Sequence, residues 1–525
     1  MSVETLLKSP PAKAPARAVV AAPPLKKGRR DPANIAAAAM ALAAFGGYAF
    51  VSIFRDTHFG STVDLAAQSQ TVWGYSQFQI IPNTIVGVPN LLGDHFHPVL
   101  FALAPFYWIW NSPEVLLLAQ AVLLALAGIP IFLWGRERLN AMAGLAFMAA
   151  YYVYWGTLAG MEFDFHHVVF AVAAISWALY AAVTRRNRLL WAAVAVAMLS
   201  REDVALTVAG LGFYIVVVQR RYILGAVLMV LNVLWFGLLI GAIMPALAGG
   251  PYRHWTYQGL GDGPVAAVKH IFTEPFDSLK LLFVPVAKTR VWIGSFGNWL
   301  FLPLLSPLTL VALPYFFERF WNDQPTLWTF HMQYSMLPAP ILAMASIDTL
   351  ARIKSRWRWR VSLPARMPEA IAGLVLVTTV VASFAILRPL DDLTKTVSPA
   401  TAAAIQSCLD VIPSSAAIAA SQELLPHLAN RRQIYGIPTE VGHHVYVNPT
   451  TLGVEYIAID LVSGGSPDVA MRDAVRTALA ADYGIVCTKQ LTLVLHRGAT
   501  AKELSPQFKH WLAGDCRAEG CLTEI

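Results

Sequence analysis

Charge is what this sequence has least of. Of its 525 residues 14% are Asp, Glu, Lys or Arg, while 56% are hydrophobic. Soluble chains carry about one-quarter charged residues. With a mean hydropathy of +0.53, a water-soluble domain has no way to hide so much apolar surface, so lipid is its solvent. The shortage excludes a cytosolic enzyme and a disordered chain. It also excludes a nucleic-acid binder, despite the net charge of +7. Most of that excess sits in residues 1–31, where seven Lys/Arg meet two acids. A local basic tail of this kind reads as a topology signal.

Cysteine is almost as scarce. The four are Cys408, Cys487, Cys516 and Cys521. An even number confined to one late segment points to disulfides and an extracytoplasmic location. Three pairings are open. The short loop CRAEGC favours Cys516–Cys521 together with Cys408–Cys487, against four free thiols. A signal peptide is not expected: the apolar run after the tail is long, and no small-residue cleavage site follows it. Nor is there a glycine-rich phosphate loop, since Gly464-Gly465 reads as an ordinary turn.

What is present is a series of apolar segments, each near the length that crosses a hydrocarbon core of about 30 Å. We place eleven spans, at 34–54, 112–134, 140–159, 167–184, 187–200, 204–219, 222–247, 290–304, 307–320, 334–351 and 369–388. His97–Asn111 reads as a re-entrant or interfacial segment. With the N-terminus inside, inner segments hold 20 Lys/Arg and the outer loops 8, as the positive-inside rule requires. An odd number of spans puts the C-terminus outside. The expected organisation is a disordered basic cytoplasmic tail (1–31), a multi-span membrane domain with an outward polar site (32–388) and a small extracytoplasmic α/β domain (389–525). In the last, short β-rich runs such as Glu455–Asp460 alternate with helical patterns such as Asp468–Ala481.

Costly polar groups in a membrane protein mark its site. Here six clusters fall on the outer side: Asp56, His58, Asp64, Gln68 and Gln70; Asp94, His95 and His97; Glu162, Asp164, His166 and His167; Arg201, Glu202 and Asp203; Tyr252, Arg253 and His254; His331, Gln333 and Tyr334. Carboxylates serve as general bases or hold a divalent cation. Arg and His hold phosphate and stabilise a leaving group's charge. His with carboxylate also suits Zn²⁺ or Mn²⁺. Each cluster has a plainer reading beside this one. Asp203 pairs with Arg201 or caps a span, Glu162 and His166 form a structural pair, and Asp64 caps the segment DLAAQSQTVW.

The segments VDLAAQSQTVW, NLLGDHFHPVLFALAPFYWIW, DFH, REDVALTVAGLG and HMQYS resemble, in this order, the motifs of the bacterial and archaeal membrane family catalogued as domain of unknown function 2079. Those motifs read roughly D-L-x-x-x-x-Q-x-x-W, N-L-L-G-D-H-F, D-F-H, K-E-D and Q-Y-S, and the likeness covers about residues 45–350. Arg201 stands where Lys is usual, and His167 follows DFH where Pro is frequent. The family is similar in layout to the C-type glycosyltransferases. These have many spans, an outward catalytic face, an acidic residue in the first outer loop and polyprenyl-phosphate sugars as donors.

The resemblance implies a polytopic α-helical protein of the bacterial inner membrane. It would move a sugar from a polyprenyl-phosphate lipid to a cell-envelope acceptor at the outer leaflet, with inversion. Asp64 would be the base, with Asp164 and Glu202 as further catalytic carboxylates. His95, His97, His166, Arg201, Arg253, His254, His331, Gln333 and Tyr334 would bind substrate. A divalent cation, Mg²⁺ or Mn²⁺, would sit on Asp94, Asp164 or Glu202. A lipid or solute transporter and a non-catalytic envelope-assembly protein are the alternatives.

Overall fold

The structure, a computed structural model, describes residues 31–357, 364, 366–387, 396–437, 439–441, 445–462 and 468–515. The membrane part is a helical bundle. Its helices are α1 (Pro32–Thr57), α2 (Val63–Ser76), α3 (Glu114–Arg138), α4 (Ala141–Val153), α5 (Trp155–Glu162), α6 (Val168–Val183), α7 (Asn187–Met198), α8 (Val204–Val217) and α9 (Tyr222–Ala248). Further helices follow at Pro264–Thr273, Pro275–Leu281, Val286–Gly297, Leu313–Trp321, Pro338–Trp357 and Met367–Leu387. Five stretches among the described residues are long and apolar enough to span a membrane: α1, α3, α9, Gln333–Ser355 and Met367–Leu387. The others are shorter.

Three expected spans take another form. Residues 290–320 resolve into a helix ending at Gly297, two 3-10 turns at Leu302–Leu305 and Pro307–Val311, and the helix Leu313–Trp321. Pro303, Pro307 and Pro314 interrupt the apolar run, and proline cannot continue a helix interior. The expected span 140–159 bends at Tyr154, where α4 gives way to α5.

Helix Pro338–Trp357 runs through the middle of the bundle against α3, α4 and α6. Its polar Asp348 is satisfied there by Ser306 Oγ (2.7 Å) and Arg352 Nε (2.6 Å). Small residues bring neighbouring helices into contact. A Cβ on Gly212 of α8 would stand 2.7 Å from the Gly225 carbonyl of α9.

The C-terminal part is a five-stranded mixed sheet with order β2-β1-β5-β7-β6, plus a small β3-β4 hairpin. The strands are β1 (Ile418–Ala420), β2 (Ile434–Gly436), β3 (Thr439–Val441), β4 (Val445–Val447), β5 (Tyr456–Asp460), β6 (Tyr483–Lys489) and β7 (Thr492–Arg497). β1 lies parallel to β2 and β5, and β7 runs antiparallel to β5 and β6. A Cys408–Cys487 disulfide ties helix Pro399–Leu409 to β6, with Cα atoms 5.5 Å apart. The expected Cys516–Cys521 pair lies outside the described residues.

This sheet unit does not hang free. Phe59, Ala66, Ala67 and Ile85 of the membrane part share one apolar core with Ile405, Leu424, Leu425 and Ile434. Hydrogen bonds reinforce the joint. Ser69 Oγ donates to Asn430 (2.9 Å), Gln70 Nε2 to the Arg431 carbonyl (3.2 Å), and the Ile434 N–H to Thr84 Oγ1 (3.0 Å).

Candidate active site

The turns that carry the polar clusters gather at the end of the bundle where the sheet unit docks. The basic turns lie at the other end, where Arg136 meets Asn34 and Arg221 meets Asn187.

Asp164 explains how the first cluster is held. Its buried carboxylate accepts from Thr62 N (2.9 Å), Thr62 Oγ1 (2.8 Å) and Leu65 N (3.3 Å). It therefore supplies the cap that Thr62 leaves unmade at the start of α2, where backbone N–H groups lack helical partners. Burial and the nearby Asp64 push the Asp164 pKa above its usual value, against the pull of Arg55 and Thr62. Asp164 is thus engaged through Oδ2 with Thr62 and Leu65 at the start of α2. Asp64, one residue inside α2, does not cap the helix. Its side chain is 46% exposed and stands 3.5 Å from His166 Nε2.

His166 is oriented from three sides. Its Nδ1 lies 2.8 Å from the Asp164 carbonyl. A carbonyl only accepts, so Nδ1 carries the proton and, in the neutral ring, Nε2 is the basic nitrogen facing Asp64. Its backbone N–H donates to Gln120 Oε1 (3.0 Å), while Gln120 Nε2 donates to the Gly160 carbonyl (3.1 Å). Phe163 stacks on the ring at 5.2 Å. Gln120 was not among the expected residues. Its only sequence signal is a lone amide inside the apolar run of α3.

The second grouping is built from Asp94, His95, Glu202 and His254. Glu202 accepts from His95 Nδ1 (2.8 Å), Phe96 N (3.1 Å) and the Tyr252 hydroxyl (3.3 Å). Burial opposes the charge on His95, but Glu202 and Asp94 outweigh it and raise its pKa to about 9. Glu202, buried beside His95 and Arg201, stays ionised well below the usual carboxylate range. Asp94 is held at about 2: desolvation is outweighed by His254, His95 and Arg253. The His95 and His254 rings stack at 4.2 Å, and Asp94 Oδ1 lies 3.3 Å from His254 Nε2. Gly93 permits this meeting. A Cβ there would stand 2.4 Å from Ala248 N, at the end of α9, so only glycine lets the Asp94 loop reach the Arg253–His254 segment.

One ligand atom from each of Asp94, His95 and His254 lies within 4.8 Å of the others. With Nδ1 bound to Glu202, His95 would offer Nε2, the usual arrangement of a ligating histidine backed by a carboxylate. An oxygen and two imidazoles suit Zn²⁺ or Mn²⁺ better than Mg²⁺. Asp94 remains a ligand candidate, while Asp164 is bound to α2 and Glu202 orients His95.

Between the two groupings lie Gln68, His97 and His167. Gln68 Nε2 is 3.3 Å from His167 Nδ1, and the His97 and His167 rings are 4.4 Å apart. Both His97 nitrogens, His167 Nε2 and Gln68 Oε1 are buried without a hydrogen-bond partner among the described residues. Such groups call for an explanation, and water or ligand is the usual one. Burial and the charge on His95 hold the His97 pKa down at about 4, so it is a neutral donor and acceptor at neutral pH.

Not every expected residue joins these groups. Arg201 spends its guanidinium on Asp203, to which both Nε and Nη2 donate. Arg253 reaches Asp94 at 3.9 Å. His331 is exposed, Gln333 is buried, and the Tyr334 carbonyl accepts from Tyr315 and Arg319.

A membrane bundle with its polar residues at one end, beneath a small mixed-sheet unit, defines the C-type glycosyltransferase fold. ArnT from Cupriavidus metallidurans, solved bound to undecaprenyl phosphate, superposes over 88% of this chain and 99% of its own with a TM-score of 0.53 at 14% identity. An Archaeoglobus fulgidus oligosaccharyltransferase, in complex with Zn and sulfate, is similar at a TM-score of 0.43 and 13% identity over 86% of this chain and 73% of its own. Residues 58–486 match the predicted membrane protein family DUF2079, and the chain belongs to that family. No curated protein matches it in sequence.

Proposed function

We propose that the protein is an inverting glycosyltransferase that takes its sugar from a polyprenyl-phosphate lipid and delivers it to a cell-envelope acceptor. Asp64 is the base. The observation that carries this reading is exposure: Asp64 is 46% open, while Asp164, Glu202 and Asp203 are buried and engaged. A base must reach the proton it removes.

In this reaction the acceptor hydroxyl gives its proton to Asp64 as its oxygen attacks the anomeric carbon. The bond from that carbon to phosphate breaks, and the lipid phosphate leaves with the electron pair. His166 Nε2, beside Asp64, receives the proton next. Arg253 and His95, with His254 stacked on His95, form the side on which the phosphate is held. The end bearing the sheet unit faces the cell exterior, as the cysteines and the distribution of basic residues suggest. A metal on Asp94, His95 and His254 would displace the Nε2 proton of His95 and supply the positive charge beside that phosphate in its place.

The test is transfer from a labelled polyprenyl-phosphate sugar by protein in vesicles. Asp64→Asn should leave donor binding intact and lower turnover by roughly 10²–10⁴-fold, the usual worth of a general base. A fully active Asp64→Asn protein overturns the proposal.

A further inference from the structure

Helices Pro264–Thr273 and Pro275–Leu281 form a hairpin between the end of α9 and helix Val286–Gly297. Its outer face is apolar and bare. Val265 is 84% exposed, Val268 55%, Phe272 81%, Phe276 87% and Leu279 54%. Positions 265, 268 and 272 follow the i, i+3, i+7 spacing of a single helix face, and 276 and 279 repeat it in the second helix. Ala267 and Ser278 are buried on the inner side.

That inner side is fastened. Trp321 Nε1 donates to the Ser278 carbonyl (2.8 Å), Trp292 Nε1 to Leu282 (3.1 Å) and Lys288 Nζ to Leu281 (2.9 Å). His270 and Asp277 join the two helices at 3.4 Å. The phenylalanines are therefore held outward by a built scaffold.

We propose that residues 264–281 lie in the plane of the bilayer surface, with these five side chains in the boundary between headgroups and acyl chains. Exposed Lys269 and Lys280 would face the phosphates of anionic phospholipid headgroups, while exposed Glu274 and Asp277, the latter paired with His270, would turn to the water. Helices of 10 and 7 residues are far too short to span, since about 20 are needed. A large apolar face edged by charged residues is the mark of an interfacial helix. Connectivity supplies the location. The hairpin leaves α9, most of which is unburied by protein and so meets lipid. It returns to Val286–Gly297, whose Val291 and Phe296 belong to the core of the bundle. The segment just before it carries Arg253 and His254, so the anchored hairpin holds one wall of the site at the depth where a lipid-borne headgroup arrives.

The experiment uses the full chain in phosphatidylcholine vesicles, with and without phosphatidylglycerol. An environment-sensitive fluorophore is placed on Phe272→Cys. A second label goes on Val469→Cys, 78% exposed on the sheet unit, and the unsubstituted chain is labelled as the blank. The 272 label should emit at shorter wavelength. It should lose emission to lipids carrying a nitroxide near the headgroup and resist iodide in the water, while the 469 label does the reverse. Phosphatidylglycerol should enlarge the wavelength shift, and Lys269→Gln with Lys280→Gln should abolish that increment. A 272 label open to iodide overturns the proposal. So does cross-linking of position 272 between two copies without quenching by lipid, which would make this face a protein interface. A shift indifferent to phosphatidylglycerol overturns the role of the lysines.

Discussion

Within the site, environment gives each carboxylate a separate task. Glu202 and His95 form a half-buried ion pair whose stability depends on pH from both sides. His95, with its pKa raised to about 9, contributes fully below its ordinary value of about 6.5 and loses that contribution as pH rises through 9. Glu202 is depressed, so it contributes above about 4.3 and fails only in strong acid. We expect raising the pH from about 6 to about 10 to lower the melting temperature of the native chain more than that of Glu202→Gln. The His95 part is worth at most about 3 kcal/mol, and equal pH sensitivity would refute the pairing. Most of these residues were legible in the sequence, because ionisable groups at span ends are expensive and stand out. Thr62 and Gln120 were not, since a threonine before a helix and an amide within an apolar run have many ordinary uses. The pairing of Arg201 with Asp203 was among the sequence's own readings, since a basic residue two positions from an acid at a span end readily folds back on it.

Helix α2 owes its position to a residue about 100 positions away in the chain. Asp164→Ala leaves Thr62 N and Leu65 N without their acceptor, a loss of about 1–2 kcal/mol for a helix cap. Thermal unfolding should show that loss, and turnover should fall because Asp64 shifts with the helix. Asp164→Asn, whose side-chain oxygen still caps, should restore most of the stability. Glycine acts on the other grouping. Gly93→Ala drives a Cβ into the backbone of Ala248, an overpacking of about 1–3 kcal/mol. By parting Asp94 from His254 it should weaken Zn²⁺ uptake, measured by competition with a chelator. Uptake unchanged in Gly93→Ala would remove that trio as a metal site. The long helices could be read from hydropathy alone. The segment 286–321 could not, because averaging over an apolar window hides the prolines that break it.

Across the whole molecule, the sheet unit and α2 are parts of one packed body. Thr84 is its simplest probe: it accepts from Ile434 N and also donates to the Ile434 carbonyl. Thr84→Val should open residues 418–436 to faster amide exchange while leaving the bundle's exchange unchanged. Protection unaltered around Ile434 would mean that the joint is held by its apolar contacts alone. The α/β character of this unit was legible from its alternating runs. Its seat on α2 was not, since nothing local in either segment names the other across more than 300 residues.

That shared core also sets a timetable. Ser69 and Asn430 are 361 residues apart in the chain. At about 5–20 residues per second, the ribosome needs about 20–70 s to make the second after the first. Throughout that interval the helix bearing Asp64 lacks one of its walls, so the nascent chain can occupy the membrane before its reactive carboxylate has been set in place.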